Sequence, residues 1–368
     1  MKYRVSDPCL SSREIAAVSD ALRSGWITQG PTVAAFEVGL SEVFQVSPRQ
    51  VVACSSGTAA LHLAIAALGL GPGDEILVPD LTYVATANAV AYVGATPVLV
   101  DVDAETWAIS LSAAEWKLTA RTKAIVVVHL YGVAPNMTQV VEFARRNKLL
   151  LIEDAAEAFG GAWQGQSCGT FGDAGTFSFY GNKILTTGEG GAVVVKEDSV
   201  GDRARHLRGQ AMSAVHHFFH DAIGFNYRMT EMQAAVGMAQ LQKVQRFLNL
   251  REALLHVYQQ RIATYEEVSP LMHPTDLRTF APWLFAALVP ARCRRDVLQE
   301  KLAAVGIETR PAFCPLHRFP MFLDTRGDGA YPNASRIGDR ALVLPLHPKL
   351  LPEDVAFIAS AYEQVVAA

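Results

Sequence analysis

Residues 149–160 read LLLIEDAAEAFG. Four apolar residues follow one another without polar alternation, and a strand of that kind is covered on both faces, which is the habit of a parallel sheet. Glu153 and Asp154 close the run before small residues carry the chain into a turn or a helix. An acid at the carboxyl end of a parallel strand stands where open α/β sheets bind ligands. Asp154 equally reads as the cap of a helix beginning at Ala155.

Similar runs flank this one: "VVAC", "EILVP", "TPVLVDV" and "KAIVVVHL" before it, "GTFSFY" and "GAVVV" after it, with helical stretches between several of them. That alternation predicts a mainly parallel sheet wrapped by helices. Upstream, Ser11-x-x-Glu14 is a capping box that starts a helix with Ile15, Val18 and Leu22 on one face and Gly25 as its stop. A second helix starts at Pro31 and buries Phe36, Leu40 and Phe44. From about Thr230 a long helical stretch, "EMQAAVGMAQLQKVQRFLNLREALLHVYQQRIA", leads away from this body. A strand at "WLFAALV" and helices at "RDVLQEKLAAVG" and "EDVAFIASAYEQVV" then suggest a smaller α/β unit. A chain of 368 residues exceeds the usual single core, so the expected organisation is an N-terminal segment and large domain over 1–245 and a small C-terminal domain over 246–368.

Half of the residues are hydrophobic and 18% are charged, which fits a compact, ordered protein. A formal net charge of −4 without long basic runs gives no footprint for nucleic acid. The greasiest windows, such as "AIVVVHLYGVA", are too short to span a bilayer, and "MKYRVSDPCLSSRE" lacks the apolar core of a signal peptide, so a cytoplasmic protein without membrane association is expected. Five scattered cysteines without a C-x-x-C pair argue against a disulfide framework and a zinc site.

Four stretches of this body carry chemical potential. In "CSSGTAALHLAIAALGLG" a strand passes through Ser55, Ser56, Gly57 and Thr58 straight into an apolar helix. Free N–H groups, hydroxyls and a glycine at a helix start make a phosphate cradle, although the same pattern serves as an ordinary cap. In "VPDLTYVATANA" Tyr83 follows a strand, where its ring either lies on a planar ligand or packs. Asp154 is the third. The fourth is Lys183 in "FSFYGNKILTTGEGG" (177–191), set between strand-forming aromatics and small residues. Buried lysines are rare unless paired, and one buried at the strand ends with Asp154 and Ser178 can lose its charge and act as a nucleophilic amine. A phosphate cradle, an acid, a flat aromatic and an amine are together the fittings that pyridoxal 5'-phosphate requires.

These segments, with "TYVATANAVAYVGATPVLVDVD", "VHLYG", "GTFGDAGTFSFYGNKILTTGEGG", "GFNYRMTEMQAA" and "RPAFCPLHRFP" in the same order, closely resemble the DegT/DnrJ/EryC1/StrS family of nucleotide-sugar aminotransferases. The resemblance spans nearly the whole chain and implies the aspartate-aminotransferase-like fold type I. It makes Lys183 the lysine that bonds the cofactor and shuttles the proton, Asp154 the partner of the pyridine nitrogen and Tyr83 the ring that stacks on it. Glu157 falls near the cofactor's phenolic oxygen, and Gly57, Thr58 and Ser178 fall at its phosphate. Asn226 matches an asparagine that reaches the phosphate across the interface of a homodimer with shared active sites. Arg310 and His317 match positions on the substrate side. The implied reaction takes an amino group from L-glutamate, stores it as pyridoxamine 5'-phosphate and delivers it to a nucleotide-linked ketosugar. Within the family the pattern looks most like that of enzymes converting GDP-4-keto-6-deoxymannose to GDP-perosamine. Another nucleotide ketosugar or a keto-cyclitol as acceptor is the alternative, and a sensor built on this fold is a third reading that Lys183, Asp154 and Ser178 together disfavour. Relatives that dehydrate instead of aminating carry histidine where this chain has Lys183.

Overall fold

In the computed structural model, which describes residues 1–262, 278–279 and 281–367, the apolar runs become a seven-stranded sheet. Its first five strands are β1 (Val51–Cys54), β2 (Glu75–Pro79), β3 (Thr96–Val100), β4 (Thr122–Val128) and β5 (Leu150–Asp154). A short hairpin of β6 (Ala162–Trp163) and β7 (Gln166–Ser167) precedes the last two, β8 (Ala174–Ser178) and β9 (Gly191–Val195). The order is β1-β9-β8-β5-β4-β2-β3. Every pairing is parallel except those of β9 with β8 and with β1, so β9 alone runs against the others. All residues of β1, β2 and β9 are buried, as strands covered on both faces require.

Helix α1 (Ser12–Arg23) carries the expected capping box between Ser11 and Glu14, and Gly25 follows its end at φ +74°. Its packing departs from the apolar pattern. Ile15 and Leu22 are 69% and 53% exposed, while Glu14 is buried, drawn inward by an ion pair with Lys243 and by the Gln240 amide at 2.7 Å. Helix α2 (Pro31–Phe44) buries Phe36, Leu40 and Phe44. The long stretch after Thr230 forms two helices, Glu231–Leu241 and Val244–Ile262, parted at Gln242 and Lys243. Ala263, the last residue of that stretch, lies outside the described residues. The boundary expected at 245 falls at the start of the second of these helices.

Beyond it, β10 (Arg278–Thr279) pairs with β6, and β11 (Phe285–Leu288), β12 (Arg310–Pro311) and β13 (Ala341–Leu344) form a separate antiparallel sheet in the order β11-β13-β12. This sheet's surroundings are fastened onto the ends of β2 and β3. Asp101 accepts bonds from the Asn333 and Ala334 N–H groups at 3.2 and 2.9 Å, and the Leu316 N–H donates to the Asp80 carbonyl at 2.7 Å. One hydrophobic cluster runs through the junction, joining Leu81 and Val102 to Leu316, Tyr331 and Ile337. Among the described residues no helix is long and apolar enough to cross a membrane.

Candidate active site

Because β1, β2, β5 and β8 run the same way, the residues at their carboxyl ends meet along one edge of the sheet. Asp154 ends β5, Ser178 ends β8, Gly57 and Thr58 follow β1, and Tyr83 follows β2.

Helix α3 (Gly57–Ala67) starts at this edge, capped by Ser56, whose hydroxyl accepts from the Ala59 N–H at 3.1 Å. The Ala60 N–H reaches the Ser56 carbonyl at 2.9 Å, which leaves the Gly57 and Thr58 N–H groups as the open donors of the first turn. A Cβ on Gly57 would stand 2.7 Å from the Ser178 Cβ and 3.1 Å from its hydroxyl, so glycine is what lets the helix start and the end of β8 close around one small volume. Two free N–H groups and the Ser178 hydroxyl fit a phosphate there. The helix cap and the cradle are thus the same structure.

The Asp154 carboxylate is buried, accepting from the Thr86 hydroxyl at 2.8 Å and from the Ala156 N–H at 3.2 Å. Burial pushes its pKa up against the pull of these bonds and of Lys183. Thr86 lies in the first turn of α4 (Ala85–Tyr92). Behind Asp154, the Glu153 carboxylate accepts from the Gly169, Phe171 and Gly172 N–H groups at 2.7 to 2.8 Å and meets His129 Nε2 at 2.8 Å. The His129 N–H in turn donates to the Asp154 carbonyl at 3.0 Å. This buried pair fixes the end of β5, so that the Asp154 side chain is aimed by a rigid strand.

Lys183 is the centre of the cluster. Its Nζ lies 3.5 Å from Glu157 Oε1 and 3.6 Å from the centre of the Trp283 ring. Burial pushes the amine below its ordinary pKa, and the carboxylates of Glu157 and Asp154 pull the other way. Burial likewise raises Glu157, against Lys183 and the Tyr131 N–H, which donates to Glu157 Oε2 at 2.7 Å. Tyr131 holds φ +54°, and a side chain on the following Gly132 would overlap the Ala281 carbonyl. The turn after β4 is therefore kept in the conformation that presents this N–H to Glu157.

A buried acid and a mostly buried amine of lowered pKa, on the sheet edge that also carries the open N–H groups of α3, fit pyridoxal phosphate: its ring nitrogen would suit Asp154, its aldehyde Lys183 and its phosphate Gly57, Thr58 and Ser178. Tyr83 is 57% exposed, with its ring 5.8 Å from that of Phe313.

The remaining expected residues lie elsewhere. Asn226 is exposed, and the carbonyl of the next residue, Tyr227, accepts from the Ser55 N–H at 2.9 Å. Arg310 is 45% exposed and paired with Glu308 at 3.1 Å. His317 is buried, its Nδ1 at 2.6 Å from Asp80, its Nε2 at 2.9 Å from Asp328 and its ring stacked on Tyr331. Both ring nitrogens are thereby occupied, and His317 holds the loop that leads to Tyr83. Thr86, Tyr131 and Trp283 lie inside the quoted stretches "TYVATANA", "VHLYG" and "WLFAALV", but the sequence singles none of them out as a site residue.

Comparison with known proteins identifies the family. The model of the DegT/DnrJ/EryC1/StrS aminotransferase family matches residues 8–363. GDP-perosamine synthase of Escherichia coli O157:H7 is 42% identical over 367 residues, covering 99% of each chain. Among solved structures, the aminotransferase TlmJ of Streptoalloteichus hindustanus superposes with a TM-score of 0.93 at 32% identity, covering 99% of each chain. Spr1654 of Streptococcus pneumoniae, in its PMP form, also gives 0.93, at 28% identity over 99% of this chain and 98% of its own. The chain belongs to the DegT/DnrJ/EryC1/StrS aminotransferase family.

Proposed function

We propose that the protein aminates C4 of GDP-4-keto-6-deoxymannose, with pyridoxal phosphate as cofactor and L-glutamate as amino donor, to give GDP-perosamine. The observation that carries amine transfer is the Lys183 amine, its side chain only 12% exposed, beside Glu157 on the sheet edge that also holds Asp154, Gly57 and Ser178. The sugar assignment rests on full-length similarity to the Escherichia coli GDP-perosamine synthase.

When bound, the cofactor supplies an aldehyde that accepts an amine and a cationic ring that withdraws electrons from the adjacent carbon. Asp154 holds the proton of the ring nitrogen, because a buried carboxylate stabilises a cation that also relieves its own desolvation. The Gly57 and Thr58 N–H groups and the Ser178 hydroxyl bind the phosphate. Lys183 would move the proton: as a neutral amine its Nζ takes it from the donor carbon that bears the amino group, and as an ammonium it would give it to the carbon that had been the cofactor's aldehyde, with the order reversed for the ketosugar. Burial helps the neutral form and Glu157 the charged one, which suits a group that works in both directions. The Tyr83 ring would be the one to stack on the cofactor's ring.

The working unit is proposed to be a homodimer with shared sites. The segment before Asn226 exposes Val215, Phe218, Phe219 and Ile223 at 81, 80, 56 and 90%, an apolar run of the kind that a second subunit covers. Asn226 then completes the neighbouring chain's cradle.

A turnover screen tests the substrate. Glutamate with GDP-4-keto-6-deoxymannose should yield the 4-amino sugar, identified by mass spectrometry and NMR. Turnover of a dTDP- or UDP-linked ketosugar or a keto-cyclitol, and none of the GDP compound, overturns the sugar assignment.

A further inference from the structure

Trp283 is the one contact of the Lys183 ammonium that cannot be foreseen from the site's chemistry. It lies just before β11, in the C-terminal part of the chain, yet its ring faces Nζ at 3.6 Å. The ring is fixed at several points. Its Nε1–H donates to the carbonyl of Asn182, the residue before Lys183, at 2.7 Å. Its own carbonyl accepts from the buried Arg251 Nη1 at 2.7 Å, and Tyr131 stacks at 6.3 Å with 17° between the planes. An indole face carries negative quadrupole charge and attracts a desolvated cation. Glu157 approaches the same nitrogen at 3.5 Å, so carboxylate and ring form two walls of one seat.

We propose that the face of Trp283 is the resting place of the Lys183 ammonium whenever the amine is not bonded to the cofactor, which makes Trp283 a positioning residue for the proton shuttle. This rests on the reading of Lys183 as the cofactor-bonding amine. The seat keeps the freed side chain from swinging away and favours its charged form. The other charges that bear on Nζ are Glu157 and Asp154, while the Arg251 guanidinium donates to the Trp283 carbonyl. Removal of the ring therefore leaves the carboxylates in place and isolates its share.

The test uses full-length, cofactor-free protein. The rate at which an amine-selective reagent labels Lys183 is followed against pH by peptide mass spectrometry, because only the neutral amine reacts. Trp283→Leu should lower the midpoint by about one pH unit, about tenfold more neutral amine at a given lower pH. Trp283→Phe retains a π face but loses the Asn182 bond, and should stay within about threefold of the parent. Biosynthetic replacement of tryptophan by a fluorinated analogue keeps the shape and Nε1–H while weakening the quadrupole; it should shift the midpoint in the same direction as Leu and keeps the test open if Trp283→Leu does not fold. An unmoved midpoint with the fluorinated ring, or equal shifts in the Leu and Phe variants, overturns the proposal. Failure of the parent protein to bind pyridoxal phosphate would instead remove the assigned function and leave the labelling result standing.

Discussion

At the scale of single residues, the site is a balance between desolvation and charge. Lys183, Asp154 and Glu157 are all buried enough for their charged forms to be penalised, and each charged form is partly restored by another member of the set. The residue types were legible: a lysine, an acid and a serine at strand ends have few structural uses in common. Their partners were not. Thr86 stands 68 positions from Asp154, and Trp283 stands 101 from Asn182, so only the fold brings them together. His317 shows the converse, a residue visible in its motif whose nitrogens are taken up by Asp80 and Asp328. A different histidine sets a pH dependence. His347 is buried, and burial, helped by the charge of Arg251 and opposed by Asp7 and the Arg4 backbone, pushes its pKa down to about 4 from 6.5. The unfolded chain thus binds a proton between those values that the folded chain refuses. Stability from this group is complete above pH 6.5 and is lost as pH falls toward 4, by about 1.4 kcal/mol per unit within the window. His347→Leu should narrow the fall in Tm between pH 7 and 4.5. An equal fall in both proteins would show that His347 is not the group responsible.

Among elements, continuous apolar runs announced the sheet and its parallel character, because strands buried on both faces have no polar side to show. The reversal of β9 was not legible, since direction leaves no trace in the composition of a buried strand. Helix α1 misled in a specific way: its cap is where the pattern puts it, but its apolar face is exposed and Glu14 is the residue turned inward, its partners Gln240 and Lys243 standing more than two hundred residues later in the chain. The most consequential junction of elements is that of α3 with β8. Gly57→Ala sets a Cβ 2.7 Å from that of Ser178 and 3.3 Å from its backbone, so one of the two must move. Affinity for pyridoxal phosphate should fall at least tenfold, an overpacking cost of about 1–3 kcal/mol, and Ser178→Ala alone should cost less. Titration of the cofactor-free protein by absorbance measures this, and unchanged affinity in Gly57→Ala would place the phosphate elsewhere.

At the scale of the whole molecule, the C-terminal sheet and the large sheet share one hydrophobic cluster, and the segment leading into β11 sets Trp283 against Lys183. Assembly is the next level. Lys183→Ala and Asn226→Asp should each be inactive, the second because a carboxylate would face a phosphate dianion. Refolded together in equal amounts, half of the dimers should be mixed, with one intact site in each, so about a quarter of all sites should work. Activity that stays at the level of the separate variants, although mixed dimers form, would assign Asn226 to its own subunit. The claim on which all of this depends is that Lys183 bonds the cofactor. Reduction of the pyridoxal-phosphate-loaded protein with borohydride, followed by peptide mapping, tests it most directly: the pyridoxyl group should be found on the peptide containing Lys183 and on no other. A protein that takes up no pyridoxal phosphate, or one labelled at a different lysine, would contradict the account.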